Sequence, residues 1–279
     1  MSQITLNEAL ILGIIQGLTE FLPISSSGHL VIFQNLLGLK EPQLLFDVVV
    51  HLGTLFAIMF VYRKDLLDIV KELFGVGKDI REHEAFKTIW ANRPYLRLVV
   101  FIIIATLPAV IVGLLFQDAV EHLFGSLPST GVMLLITGTF LFLTQKAKNQ
   151  EKEMKDLTVR ICLMIGIAQA CALLPGISRS GITISTALFC GLNRDLAARF
   201  SFLLSIPAIL GAAFLEFLKI YGNMGSNNGM ALFFGGLSAF VIGYVALIIL
   251  LRMVHQGRLF YFSYYCWPLG AAVLILSQL

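Results

Sequence analysis

The sequence predicts an all-α, polytopic integral membrane protein of six transmembrane helices plus two re-entrant helical hairpins, in an inverted-topology repeat. Three observations carry that expectation. Hydrophobic residues make up 57% of the 279 and charged residues only 13%, with a mean hydropathy of +0.85. A soluble domain carries about 25% charged residues and has no interior that could hide so much apolar surface. The apolar residues also fall into long runs, with Lys and Arg gathered at alternate connections between them. Finally, two of the runs are broken near their middles by Pro, Gly and Ser. The chain therefore reads as a single membrane domain over 1–279, with one repeat at about 1–144 and the second at about 159–279.

The elements follow in order. Residues 9–39 form the first broken run, interrupted at Pro23-Ile24-Ser25-Ser26-Ser27-Gly28. The segments 44–62, 97–116 and 128–144 are long enough to cross a hydrocarbon core, which takes roughly 20 residues. The charged stretch 63–97 between the first two holds eight bases and six acids and predicts one or two amphipathic surface helices. The second broken run, 161–192, is interrupted at Pro175-Gly176-Ile177-Ser178-Arg179-Ser180-Gly181. Its halves of 14 and 11 residues reach only about 16–21 Å, short of a ~30 Å core, which predicts a hairpin that returns to its side of entry. Segments 200–220, 230–251 and 261–279 complete the spans. The last opens with Tyr261, Phe262, Tyr264, Tyr265 and Trp267, an interfacial belt.

Basic residues set the orientation. The connections 63–97 and 146–160 hold eight and five Lys/Arg, and Arg194, Arg199, Arg252 and Arg258 mark three further turns. The connections 117–127 and 221–229 hold none. The positive-inside rule makes the basic connections cytoplasmic. The first hairpin then enters from outside, the second from the cytoplasm, and both termini lie outside. An offset of 153 supports two related halves. It matches Gly13, Ile14, Gln16, Ile24, Ser25, Ser27 and Gly28 to Gly166, Ile167, Gln169, Ile177, Ser178, Ser180 and Gly181.

Other classes are excluded. A net charge of +3 is too small to imply a nucleic-acid partner. The four cysteines lie in apolar runs without C-x-x-C spacing and read as reduced. The N-terminal run has no Lys or Arg before Lys40 and is not read as a signal peptide. There is no P-loop and no dinucleotide fingerprint, and residues 176–180 fall short of a nucleophile elbow.

Ionisable residues at lipid depth are functional candidates by default. Arg179 lies alone between Arg160 and Arg194, at a hairpin tip flanked by Ser178 and Ser180 and preceding a new helix. A five-donor guanidinium beside the free N–H groups of a helix N-terminus suits a diphosphate; the competing reading is a structural arginine tied to carbonyls or to Glu20. On the first run, Gln16 and Glu20 share a helix face, Ser25, Ser26 and Ser27 form the tip, and His29 begins the return helix. Together these supply a carboxylate for a metal or proton, hydroxyl nucleophiles and an imidazole, an inventory for phosphoryl transfer. Asp47 with His51, and Glu216 with Lys219, read as structural polar pairs.

At these two tips the sequence resembles the bacterial undecaprenyl-diphosphatase family of the bacitracin-resistance type. Gln16-Gly17-Leu18-Thr19-Glu20 fits its E/Q-x-x-x-E pattern, and the segment from Pro175 to Thr183 fits its P-G-x-S-R-S-x-x-T pattern. The resemblance implies hydrolysis of undecaprenyl diphosphate to the monophosphate and phosphate, which recycles the cell-wall lipid carrier and confers bacitracin resistance. It implies a site opening to the outer face of the bacterial plasma membrane and dependence on Mg²⁺ or Ca²⁺. It makes Glu20 the essential acid with Gln16 its partner, both near the metal, and Ser26 the proposed nucleophile with His29 nearby, so that the expected mechanism has Ser26 attack the terminal phosphorus with His29 as base. Ser178, Arg179 and Thr183 become diphosphate ligands, with Ser25, Ser27 and Ser180 lining the same site. The expected partners are a polyprenyl diphosphate and membrane lipid, with a homodimer left open. The rival from another class is a transporter or flippase of an anionic lipid, which would need no paired hydroxyl and imidazole.

Overall fold

The structure is a computed structural model describing residues 4–39, 43–81, 86–116, 123, 126–147, 150–220 and 228–277. The described elements are helical apart from one isolated bridge between Lys152 and Leu192. In chain order they are α1 (Leu6–Phe21), α2 (Ser26–Leu36), α3 (Leu44–Val61), α4 (Arg63–Arg81), α5 (Phe86–Asn92), α6 (Pro94–Leu115), α7 (Leu127–Leu143), α8 (Val159–Cys171), α9 (Arg179–Phe189), α10 (Arg194–Ile220), α11 (Gly229–His255) and α12 (Ser263–Leu276).

Six helices are long and apolar enough to span a membrane, namely α3, α6, α7, α10, α11 and α12 with short extensions at some ends. Their outer faces expose large apolar side chains, among them Phe56, Ile103, Leu114, Phe214 and Phe233. Exposed apolar surface on this scale needs lipid as its solvent, so the protein is a multi-pass membrane protein. The observed spans follow the hydropathy runs, with one informative exception. α10 begins at Arg194, before the predicted 200, because Asn193 caps Leu196 N–H and Arg199 pairs with Asp195 one turn away. Charge ended the apolar run there without ending the helix. The charged stretch after α3 forms α4 and α5, as its pattern suggested. The bare connections lie largely outside the described residues, as do Lys40 and the Lys219 side chain of the predicted Glu216 pair.

Small residues fix the helix crossings. On α1, a Cβ added at Gly13 would lie 2.3 Å from the Gly235 carbonyl oxygen, and one at Gly17 2.8 Å from that of Ala239. α1 thus runs parallel to α11 with the backbones in near contact, the close approach that small-xxx-small spacing permits. α8 runs parallel to α6 in the same manner. Arg97 donates to the Lys155 carbonyl at 3.0 Å, and a Cβ on Gly166 would lie 2.3 Å from the Ala105 carbonyl oxygen. α3 and α6 run in opposite directions, since the Tyr95 hydroxyl at the start of α6 meets Asp65 just past the end of α3. α7 and α12 pair antiparallel through Gly131 with Gly270 and Gly138 with Trp267. The main core, including Phe21, Phe200, Phe202, Leu203 and Ile58, fills the space between α1, α3 and α10 beneath the two chain breaks.

Candidate active site

The first break forms because α1 stops at Phe21, where Pro23 cannot continue the helical ladder. The Ile24 N–H turns back to the Leu22 carbonyl at 2.7 Å, and Ser25 follows with φ +73°. A side chain in that left-handed region is strained, a condition that persists only where the surroundings impose it. The second break reaches φ +96° at Gly176, where a Cβ would lie 2.4 Å from the Thr130 carbonyl oxygen. Glycine is required there. Thr137 on α7 holds this turn from the side: its hydroxyl donates to the Gly176 carbonyl at 3.0 Å and accepts from Ser178 N–H at 3.1 Å. Ser178 then caps α9 by accepting from Gly181 N–H at 3.2 Å.

The two breaks meet. The Ser180 hydroxyl donates to the Phe21 carbonyl at 2.9 Å, and a Cβ on Gly181 would lie 3.0 Å from that of Pro23. Arg179 Nη2 reaches across to Glu20 Oε1 as a partly buried ion pair. The other Glu20 oxygen, Oε2, accepts from Ser26 Oγ at 2.7 Å and from Gln16 Nε2 at 3.0 Å, and His51 Nε2 stands 3.9 Å away. Glu20 is 9% exposed and Gln16 fully buried, so this carboxylate is neutralised by protein groups rather than by water. Among the groups around Glu20, two buried polar atoms remain without a protein partner, Arg179 Nη1 and Gln16 Oε1. One is a donor and the other an acceptor, and both belong to residues that touch Glu20.

The other predicted residues take definite places. Ser25 and Ser27 hydroxyls lie 3.4 Å apart at the first tip, mirrored by Ser178 and Ser180 at 3.2 Å in the second. Thr183 donates to the Arg179 carbonyl at 2.8 Å, so its hydroxyl supports the α9 backbone one turn below the tip. His29 turns away from Ser26. Its Nδ1 lies 2.8 Å from the Ser25 carbonyl, which can only accept, so that nitrogen carries the hydrogen. Nε2 then accepts from the Tyr265 hydroxyl at 2.7 Å, with the two rings stacked.

Three residues of this neighbourhood escaped sequence reasoning. Tyr265 reads in sequence as one more belt aromatic, and Thr137 as an ordinary apolar-run threonine. His51 is paired with the Asp47 backbone carbonyl at 2.7 Å, which leaves its Nε2 toward Glu20, while the Asp47 carboxylate accepts from Gln34. The i,i+4 spacing of Asp47 and His51 announced their contact; nothing local announced Glu20.

Comparison with known proteins identifies the family. Residues 9–272 match the family described as bacitracin resistance protein BacA. An undecaprenyl-diphosphatase of Methanobrevibacter smithii is 46% identical over 270 residues, covering 96% of both chains. Those of Carboxydothermus hydrogenoformans and Desulforapulum autotrophicum are 44% and 42% identical, over 97% of this chain and 97% and 98% of theirs. With matches at this level along nearly its whole length, the chain belongs to the BacA family of undecaprenyl-diphosphatases.

Proposed function

We propose that this undecaprenyl-diphosphatase works through Ser26 as nucleophile and Glu20 as its base, with the diphosphate held between the two chain breaks. The observation that carries this reading is the 2.7 Å hydrogen bond from Ser26 Oγ to the buried Glu20 carboxylate. In the proposed step, Ser26 Oγ attacks the terminal phosphorus as its proton passes to Glu20. The bond from that phosphorus to the bridging oxygen breaks, and polyprenyl monophosphate leaves with the electron pair. Water then hydrolyses the phosphoserine, releasing phosphate. The leaving group is already a weak base and needs no added proton. Arg179 Nη1, a buried donor without a protein partner, is available to the phosphoryl oxygens, where charge stabilisation is the largest contribution. The contacts of His29 with the Ser25 carbonyl and the Tyr265 hydroxyl support a role in holding the tip, and in this reading Glu20 takes the base role expected of His29.

A divalent cation fits this donor set. Gln16 Oε1 is a buried oxygen acceptor without a partner, beside the Glu20 carboxylate, and hard cations take oxygen ligands. Among the described residues no three His, Cys, Asp or Glu side chains are grouped so as to hold a metal ion. Gln16 and Glu20 would therefore hold Mg²⁺ or Ca²⁺ jointly with substrate phosphates and water, the usual habit of Mg²⁺. Bound there, the ion supplies Lewis-acid neutralisation of phosphate charge.

The proposal extends to topology. α1 and α2 have 16 and 11 residues, and α8 and α9 have 13 and 11, so most are too short for a ~30 Å core and suit re-entrant hairpins. α1 runs with α11 and α8 runs with α6, while α3 and α6 oppose each other, which favours entry of the two hairpins from opposite faces. Exchanging the halves maps the α1–α11 contact onto α8–α6, as an inverted repeat requires. With basic connections cytoplasmic, both termini and the mouth of the site lie outside.

The test uses purified protein in detergent with a polyprenyl diphosphate. Phosphate release that stops with chelator and in Glu20→Gln, together with acid-stable phosphate trapped on Ser26, is the expected result. Near-full turnover by Ser26→Ala would overturn the nucleophile and point to water attack.

A further inference from the structure

An apolar trough runs along the outer side of α3 and α11, on faces of these helices other than the one from which His51 meets Glu20. The two helices approach so closely at Gly53 that an added Cβ would lie 2.4 Å from the Gly236 carbonyl oxygen. The missing side chains leave a trough of about 810 Å³, walled by Val49, Phe56, Phe60, Phe233 and Phe240. From Val49 to Phe60 it follows α3 for about 16 Å, one leaflet of a ~30 Å hydrocarbon core. Its only charged lining residue is Arg63, at the end where α3 gives way to α4. The Arg63 guanidinium sits 5.0 Å from the centre of the Phe60 ring and donates Nη1 to the Phe60 carbonyl at 2.9 Å. It has no carboxylate partner among the described residues.

The charges of α4 are sorted about this end. Asp65, Glu72 and Asp79, spaced seven apart, all turn toward the protein. Arg199 takes Asp65 at 3.3 Å, Leu96 N–H takes Glu72 at 2.8 Å, and Arg93 takes Asp79. The opposite side exposes Leu67, Val70 and Phe74, flanked by Lys64 and Lys71. The remaining α4 acid, Asp68, takes Lys71 at 3.0 Å, which leaves Arg63 and Lys64 as the open bases at this end, and the apolar face marks the level of the leaflet.

We infer that the α3–α11 trough binds an anionic phospholipid of the leaflet at the Arg63 end, with one acyl chain in the trough and the phosphate on Arg63 and Lys64. The trough is one leaflet long, which suits an acyl chain and falls short of a polyprenyl chain. The inference is independent of the catalytic proposal.

The test places Phe233→Trp in the full-length protein in vesicles and reads the added fluorescence against the parent, with acyl-brominated phosphatidylglycerol or phosphatidylcholine as quencher. Phosphatidylglycerol should quench at about fivefold lower mole fraction, the effect of one basic residue near ~1 kcal/mol. Arg63→Gln should abolish that preference and Arg63→Lys keep most of it, with phosphatase activity unchanged in both as the check of folding. Equal quenching by the two lipids, or displacement of phosphatidylglycerol by equimolar polyprenyl phosphate, would overturn the inference.

Discussion

Arg179→Lys tests the site most directly, because it keeps the charge and removes the fork. In the structure one guanidinium nitrogen is bound to Glu20 while Nη1 is buried and unpartnered. A lysine ammonium is a single point and cannot fill both places, and the buried Glu20 carboxylate is the stronger claim on it. The variant should therefore stay folded but lose the donor that our proposal gives to the phosphoryl oxygens. Removal of one such donor costs about 2.7–4 kcal/mol in the transition state, or roughly 10²–10³ in kcat, and retained charge should hold the loss near 10². Arg179→Ala is a different perturbation, since stripping one partner from a buried pair costs about 3–5 kcal/mol of stability. The assay is phosphate release from polyprenyl diphosphate over a substrate series, with the melting temperature measured alongside. A kcat for Arg179→Lys within threefold of the parent, at an unchanged melting temperature, would refute the division of labour between the two nitrogens.

Further predictions rest on single contacts. Thr137→Val leaves the Gly176 carbonyl and Ser178 N–H without their side-chain partner, which should cost about 1–3 kcal/mol and lower kcat, with Thr137→Ser restoring both; unchanged thermal stability would count against the clamp. Tyr265→Phe removes the donor to His29 and should reduce kcat up to about tenfold, an effect near 1 kcal/mol, and no change in kcat would sink the link through the Ser25 tip. Gly13→Leu and Gly166→Leu force side chains onto backbone oxygens only 2.3 Å away, so both should melt well below the parent. A normal melting curve for either would mean that the crossing is looser than described.

Much of this architecture was legible because lipid leaves few choices. Apolar runs must become helices, so the six spans could be traced from hydropathy, and the isolation of Arg179 within its run marked it before any geometry was known. The pairing of Arg179 with Glu20 was legible too, as one of two competing readings, since a buried charge needs a partner. The structure shows one nitrogen on the carboxylate and the other buried without a protein partner, which is the nitrogen our proposal gives to the substrate. What could not be read was direction. His29 looks toward Tyr265 rather than Ser26 because of which face of α2 meets α12. His51 approaches Glu20 because of how α3 crosses α1. Each contact joins separate segments, His29 and Tyr265 being 236 residues apart, and the placement of α1 is set in turn by Gly13 and Gly17 against α11. The six-residue advance of α10 was missed for a simpler reason, since hydropathy cannot see a capped, ion-paired turn.

The ion pair across the two breaks bears on how the protein is made. Glu20 and Arg179 are 159 residues apart, and ribosomes add roughly 5–20 residues each second. For about 10–30 s a nascent chain thus holds Glu20 within its first apolar run with no arginine to meet it. During that interval the carboxylate needs water, a proton or the insertion machinery itself. A chain that stops before Arg179 carries this vulnerability permanently, so truncated products should be removed by membrane proteases rather than accumulate as stable halves.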